Sequence, residues 1–502
     1  MEAAQAAKWL FGPEPIDEEH PGHLLSRWIF LRALGLIYFS AFYSLLFQIK
    51  GLIGPEGILP AKEFLVAVPN LYPGLYRFWF APTLLWFSSS NHMLMLICWL
   101  GLVASVVVVL NLWPRGALFI CFVCFLSFIA AAQDFASYQS DGMLLEAAFI
   151  SVFLAPRGLR PRLGAKDPPP RLAIFLLLWE WFRIYFESGV VKILSGDAQW
   201  RSLTAMDHYY ENGPLPTWVG WYVQQLLPHR FHAFVVILIF TFELGIVWLA
   251  FLPRRIRLLC FFLSTPFQAA IILTANYAFL NYIVLALGVL LLDDRFLRLP
   301  TPTPVPRKTS WPTRIALGWI FYATVVVAPG IAGRLPEPLV WPAIPLEPFR
   351  IANRYGLFAV MTTARYEIEF QGSRDGVSWT PYPFRHKPQD PMRAPGIYAP
   401  YQPRFEWNLW FASLGEWRRY PWVLRTELRL LEGSPGVLRL FASDPFADGP
   451  PAWVRAVQWQ YWFTTPEEKR STGAWWRREE RGLYAPELHR IDGRVEAVGP
   501  VP

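Results

Sequence analysis

Apolar residues fall in nine runs long enough, or nearly so, to cross about 30 Å of hydrocarbon. They cover roughly Trp28 to Ile49, Met93 to Leu112, Gly116 to Ala132, Tyr138 to Ala155, Leu172 to Leu194, Phe234 to Leu252, Leu258 to Leu273, Tyr277 to Leu292 and Ile315 to Ile331. Past Ile331 the period changes. The stretch RYEIEFQGSRDGVSWTPYPF at 365–384 alternates apolar and polar positions and turns at Arg374-Asp375-Gly376, which predicts a β-hairpin. Trp453 to Thr465 is a second strand-like run, and Pro421 to Glu432 has helical period with a stop at Gly433. The pattern predicts a polytopic α-helical membrane bundle of about nine helices over 28–333. A segment 1–27 precedes it, and a β-rich extramembrane C-terminal domain over 334–502 follows.

Two connectors, 51–91 and 195–232, are long enough to shape a surface. Within the second, Trp218, Val219, Tyr222, Val223 and Leu226 share one helical face, so this piece is expected to lie flat in the membrane interface. The run Tyr138 to Ala155 carries Asp141 and Glu146, and a re-entrant segment is its alternative reading. Pro300 to Pro312 reads as a proline-rich linker.

Composition agrees with a membrane protein, since 54% of residues are hydrophobic and only 17% charged. The formal charge of +8 forms no nucleic-acid patch, because the basic residues sit in short connectors beside apolar runs. Their distribution alternates. Arg27, Arg115, Arg157, Arg160, Arg162, Arg254, Arg255 and Arg257 fall on one side, against Lys50, Lys62, Arg77, Arg201 and Arg230 on the other. By the positive-inside rule the N-terminus is cytoplasmic and the C-terminal domain lies outside. The acidic residues before the first run, Glu14, Asp17, Glu18 and Glu19, argue against a cleaved signal peptide there.

The richest chemistry lies in Arg171 to Tyr222. Glu180, Arg183 and Glu187 share one helical stripe and predict an intramembrane ion-pair network, while Lys192 follows with no partner at helical spacing. Ionisable groups in a bilayer cost at least about 2.5 kcal/mol each on insertion scales, so they face a protein interior or a wet cavity. The four cysteines all lie in apolar runs, and Cys121-x-x-Cys124 has no charge nearby to form a thiolate, so core packing is expected. The motifs of serine hydrolases, P-loop ATPases and zinc proteases are missing, and His229-x-x-His232 lacks a third ligand, so no metal is expected.

Several stretches together resemble one family. They are GLIGPEGILPA (51–61), FASYQSDGMLLEAAF (135–149), SGVVKILSGDAQWRSLTAMDHYYENGPLPTWVGWY (188–222), TANYAFLNYIVLALGVLLLDD (274–294), NRYGLFAVMTTARYEIEFQGSRDG (353–376) and YAPYQPRFEWNLWFASL (398–414). On these the chain resembles the lipase maturation factor family of multi-pass membrane proteins. For eukaryotic members the resemblance implies an endoplasmic-reticulum protein that lipases need to reach their active state, with the C-terminal domain lumenal. YFESGVVKILSGDAQW (185–200) is also similar to a helix of vitamin K-dependent gamma-carboxylase, in which the lysine matching Lys192 is the base that deprotonates the quinol. The chain departs from that pattern by inserted residues between Lys192 and Asp197.

Two functions follow. In the first, the chain assists maturation of a client protein, with a lipase as the implied client and membrane lipid as its surroundings. Trp407, Trp410 and Phe411, with Trp417 and Trp422, offer the client an aromatic surface. In the second it is a membrane enzyme acting on a quinone or lipid, with Lys192 as base tuned by Glu187, Asp141 or Glu146. A cavity beside Lys192 favours the enzyme; a dry, paired Lys192 favours the maturation factor. The outside regions hold no N-x-Ser/Thr sequon and no cysteine, which favours a bacterial cytoplasmic membrane with a periplasmic domain over the endoplasmic reticulum.

Overall fold

The computed structural model describes residues 22–136, 138–297, 309–331, 333, 335–491 and 494–498. Most of the N-terminal segment and of the proline-rich linker lie outside the described residues. Each of the nine apolar runs forms a helix: α1 (Leu24–Ile53), α2 (Asn91–Val109), α3 (Pro114–Ile129), α4 (Gln139–Leu154), α5 (Arg171–Leu194), α6 (His229–Phe240), α7 (Arg254–Thr274), α8 (Leu280–Gly288) and α9 (Trp311–Val327). Helix α6 runs on through a π turn at Thr241–Gly245 and a 3-10 turn at Ile246–Phe251. Among the described residues, four helices are long and apolar enough to cross a membrane, namely Leu24–Ile53, Asn91–Val109, His229–Phe251 and Arg254–Thr274; α3, α8 and α9 are shorter apolar helices.

Local chemistry sets the helix ends. Ser90 Oγ accepts the Met93 N–H at the start of α2, and Pro114 opens α3, where a missing N–H costs nothing. Helix α4 is continuous and central, with Asp141 and Glu146 both 1% exposed. Between α5 and α6, Trp218–Leu226 is helical, burying Gly220 and Trp221 and exposing Trp218, Tyr222 and Leu226.

The C-terminal domain is built on a six-stranded sheet of β1 (Arg365–Ser373), β2 (Trp379–Pro381), β3 (Trp453–Phe463), β4 (Trp476–Leu483), β5 (Glu487–Ile491) and β6 (Arg494–Val498), with the strand order β2-β1-β3-β5-β6 and β4 also on β3. The hairpin closes where expected, Ser373 opposite Trp379, with Asp375 Oδ1 accepting the Val377 and Ser378 N–H groups at 2.8 and 2.7 Å. Helices α10 (Arg404–Ser413) and α11 (Trp422–Leu431) pack on the sheet, and Gly433 ends α11 at φ +69°. Phe370, Phe405, Leu430, Val454 and Tyr461 lie in the buried core.

The domain sits on the helix ends opposite the arginine-rich connectors. There Arg429 Nε and Ser434 Oγ donate to the carbonyls of Gly57 and Glu56 at 2.9 and 2.8 Å. A Cβ on Gly51 would meet the Gly436 carbonyl oxygen at 2.3 Å, so two backbones touch where α1 ends.

Candidate functional site

Between the bundle and the sheet runs an irregular strap, residues 353–361. Its N–H groups have no helix or strand to receive them, and buried backbone donors need acceptors. The bundle supplies them. Glu146 Oε2 accepts the Asn353 N–H and the Asn353 side chain, each at 3.0 Å, and the Tyr355 hydroxyl at 2.9 Å. Glu187 Oε2 accepts the Tyr355 N–H at 2.6 Å. Gln139, Ser188 and Asp197 take the N–H groups of Gly356, Leu357 and Met361. In return Arg183 donates to the Asn353 carbonyl at 2.7 Å and Trp200 to that of Phe358 at 3.0 Å. Irregular backbone near membrane depth is tolerated where protein groups satisfy it, and carboxylates at α4 and α5 do so.

The stripe is therefore partnered differently from the expected network. Arg183 forms its ion pair with Glu146 of α4 rather than with Glu180 or Glu187 of its own helix. Glu180 lies 3.4 Å from the Tyr355 hydroxyl, and Glu187 serves the strap. Asp141 forms a two-pronged pair with Arg404 of α10 at 2.7 and 2.8 Å, and Arg404 also donates to the Phe135 carbonyl at 2.8 Å.

Lys192 is 2% exposed and donates to both oxygens of Glu243 at 2.9 and 2.8 Å, while the Ser188 carbonyl lies 3.3 Å away. Trp200 and Phe358 rings cover the ammonium at 5.2 and 6.0 Å. The ammonium thus faces three protein acceptors, the two Glu243 oxygens and the Ser188 carbonyl. Glu243 is aimed at Lys192 by the π turn, which widens α6 by one residue. Gly189 makes room, since a Cβ there would meet the Glu243 Cβ at 2.9 Å. Of the residues expected to tune Lys192, Asp141 bonds Arg404, while Glu146 and Glu187 both bond Tyr355 of the strap. Sequence reading missed Glu243, although it is the single charge in the run Phe234 to Leu252, and a lone buried acid calls for a cation elsewhere.

The three aromatic candidates share α10 but not an environment. Trp407 is buried at 8% exposure, its ring 6.0 Å from Tyr138 and 6.1 Å from Tyr277. Trp410 is half-buried, and Phe411 is 38% exposed, 4.9 Å from the Trp410 ring. Trp422 is fully buried against Phe135.

A second joint links the 195–232 connector to the sheet. Glu211 accepts the Phe463 N–H at 2.6 Å, and Arg365 donates to the carbonyls of Glu211 and Gly213 at 2.9 and 2.5 Å. Burial pushes the Glu211 carboxyl up to about 7, against the opposing pull of the Phe463 N–H and Arg365. Asn276, just after α7, bonds the Gly396 carbonyl at 2.9 Å and the Tyr398 N–H at 2.7 Å. Among the described residues no three His, Cys, Asp or Glu side chains gather as a metal site.

Residues 25–299 match the profile described as the lipase maturation factor transmembrane domain, and 351–486 match the lipase maturation factor C-terminal domain. The chain is 31% identical to lipase maturation factor 2 of Gallus gallus over 94% of its own length and 82% of that protein's. It is 31% identical to lipase maturation factor 1 of Mus musculus, covering 93% and 88%, and 30% identical to lipase maturation factor 1 of Homo sapiens, covering 95% and 92%. No solved structure matches.

Proposed function

The chain belongs to the lipase maturation factor family, and from that premise we propose that it is a non-catalytic membrane platform that assists the maturation of a client protein, a lipase being the first to test. One observation carries the proposal: five of the six charged groups singled out inside the bundle, all but Glu180, are engaged in holding structure. Glu146, Glu187 and Arg183 hold the strap, Asp141 holds α10, and Lys192 is closed by Glu243. Such a bundle presents a rigid domain beside the membrane. Of the α10 aromatics, Phe411 and half-buried Trp410, together with exposed Leu414, form the client surface, and Trp407 anchors the helix from beneath. The arginine asymmetry and the cysteine-free domain support a bacterial cytoplasmic membrane, with the N-terminus inside and the domain outside.

The test is co-expression of a secreted lipase with the wild-type chain or with Trp410→Ala/Phe411→Ala. Lipase activity per unit of lipase protein should fall at least several-fold with the variant, at equal amounts of the membrane protein. Unchanged specific activity would remove the client surface from the proposal.

A further inference from the structure

Where the strap leaves the bundle, a groove of about 970 Å³ opens, at the upper end of small-molecule site volumes. Its inner wall is apolar, with Val191 of α5 and Val326 and Val327 of α9. Its outer wall is the segment 335–347, whose depth can be read from α9. Trp319 donates to the Pro342 carbonyl at 2.6 Å and the Tyr322 hydroxyl to that of Leu339 at 2.8 Å. These donors stand eight and five residues before Val327, about 12 and 8 Å along a helix rising 1.5 Å per residue. The segment therefore hangs beside α9 instead of rising clear of it.

Its backbone is unusually free of polar demand. Pro336, Pro338, Pro342, Pro345 and Pro348 bring no N–H, and Trp79 caps a third carbonyl, that of Pro345, at 3.2 Å. Leu339, Trp341 and Ile344 point outward, while Ala343 and Leu346 pack inward. Two short helical turns, Glu337–Val340 and Ile344–Phe349, with capped carbonyls and outward apolar side chains suit contact with lipid at the membrane boundary. Along the same groove stand four exposed charges of both signs, Arg350 and Arg354 with Glu337 and Glu347.

We infer that this groove holds a phospholipid with a zwitterionic, primary-amine headgroup of the ethanolamine type. Its acyl chains lie along Val326, Val327 and Ile344. Its phosphate meets the two guanidiniums, which suit phosphate geometry, and its ammonium meets the carboxylates. A purely anionic headgroup would face Glu337 and Glu347 without compensation, and a choline has no N–H to donate to them.

Native mass spectrometry of the full chain, released from nanodiscs of equal parts phosphatidylethanolamine, phosphatidylglycerol and phosphatidylcholine, reads the occupant directly. Wild type should retain one phosphatidylethanolamine at least fivefold over either competitor. Arg350→Gln/Arg354→Gln should lose that retention about tenfold. Glu337→Gln/Glu347→Gln, at exposed positions that leave folding intact, should shift preference to phosphatidylglycerol. Equal retention of all three lipids, preference for phosphatidylglycerol in the wild type, or unchanged selectivity in the glutamine pair would each overturn the inference.

Discussion

At the arginine-rich end of the bundle, Arg27 donates to the carbonyls of Leu154, Leu163 and Asp167 at 3.3, 2.7 and 2.7 Å, and Asp293 pairs with Arg254 at 2.7 Å. Asp294 caps α1 by accepting the N–H groups of Leu24 and Leu25. Every partner there belongs to the bundle or its connectors, so the charges close the bundle on itself. At the other end the same chemistry reaches out of it: Glu146 to Asn353, Glu187 to Tyr355 and Asp141 to Arg404. Buried charges satisfied by backbone and by one another are a fastening device at both ends. What differs is the part being fastened, helix to helix at one end and domain to bundle at the other.

The comparison predicts that single-partner substitutions cost most where the clamp is fully buried. Arg404→Ala leaves Asp141 charged and alone, and should cost roughly 3–5 kcal/mol, read as a lower thermal midpoint in detergent and as faster proteolysis between the bundle and the sheet. Lys192→Met should cost a similar amount by stranding Glu243. The double change Lys192→Met/Glu243→Leu should recover much of it and restore lipase maturation, an outcome that a catalytic Lys192 forbids. A smaller effect is set by pH at the second joint. Because burial raises the Glu211 carboxyl from about 4.5 to about 7, its contribution is complete below about pH 4.5. It fades as pH rises through 7, by up to about 3 kcal/mol. Glu211→Gln should flatten that part of the stability-versus-pH curve. At the arginine-rich end Arg254→Gln should cost only about 1 kcal/mol, because the Arg254 side chain is 26% exposed and Arg257 also reaches Asp293.

How much of this was legible follows from distance along the chain. The nine helices, the Arg374-Asp375-Gly376 turn and α11 come from local periods and punctuation, and they appear where the pattern puts them. Glu180, Arg183 and Glu187 were found by helical spacing, which finds neighbours on one helix and is blind to Glu146, 37 residues away. Lys192 looked partnerless for the same reason, its acid lying 51 residues on and turned toward it by a π bulge that leaves no mark in hydropathy. Strand β4, WRREERGL, is too charged to alternate, and its place depends on pairing with β3. The strap has no period at all; only its need for acceptors explains the acids beneath it.

Hydrogen exchange of the strap amides tests that dependence most directly. In Glu146→Leu/Glu187→Leu, peptides covering 353–361 should exchange at least tenfold faster than in wild type, while those of β1 and β3 keep their protection. Unchanged exchange in the strap, or equal loosening of strap and sheet, would contradict the claim that carboxylates within the helices fasten the domain to the bundle.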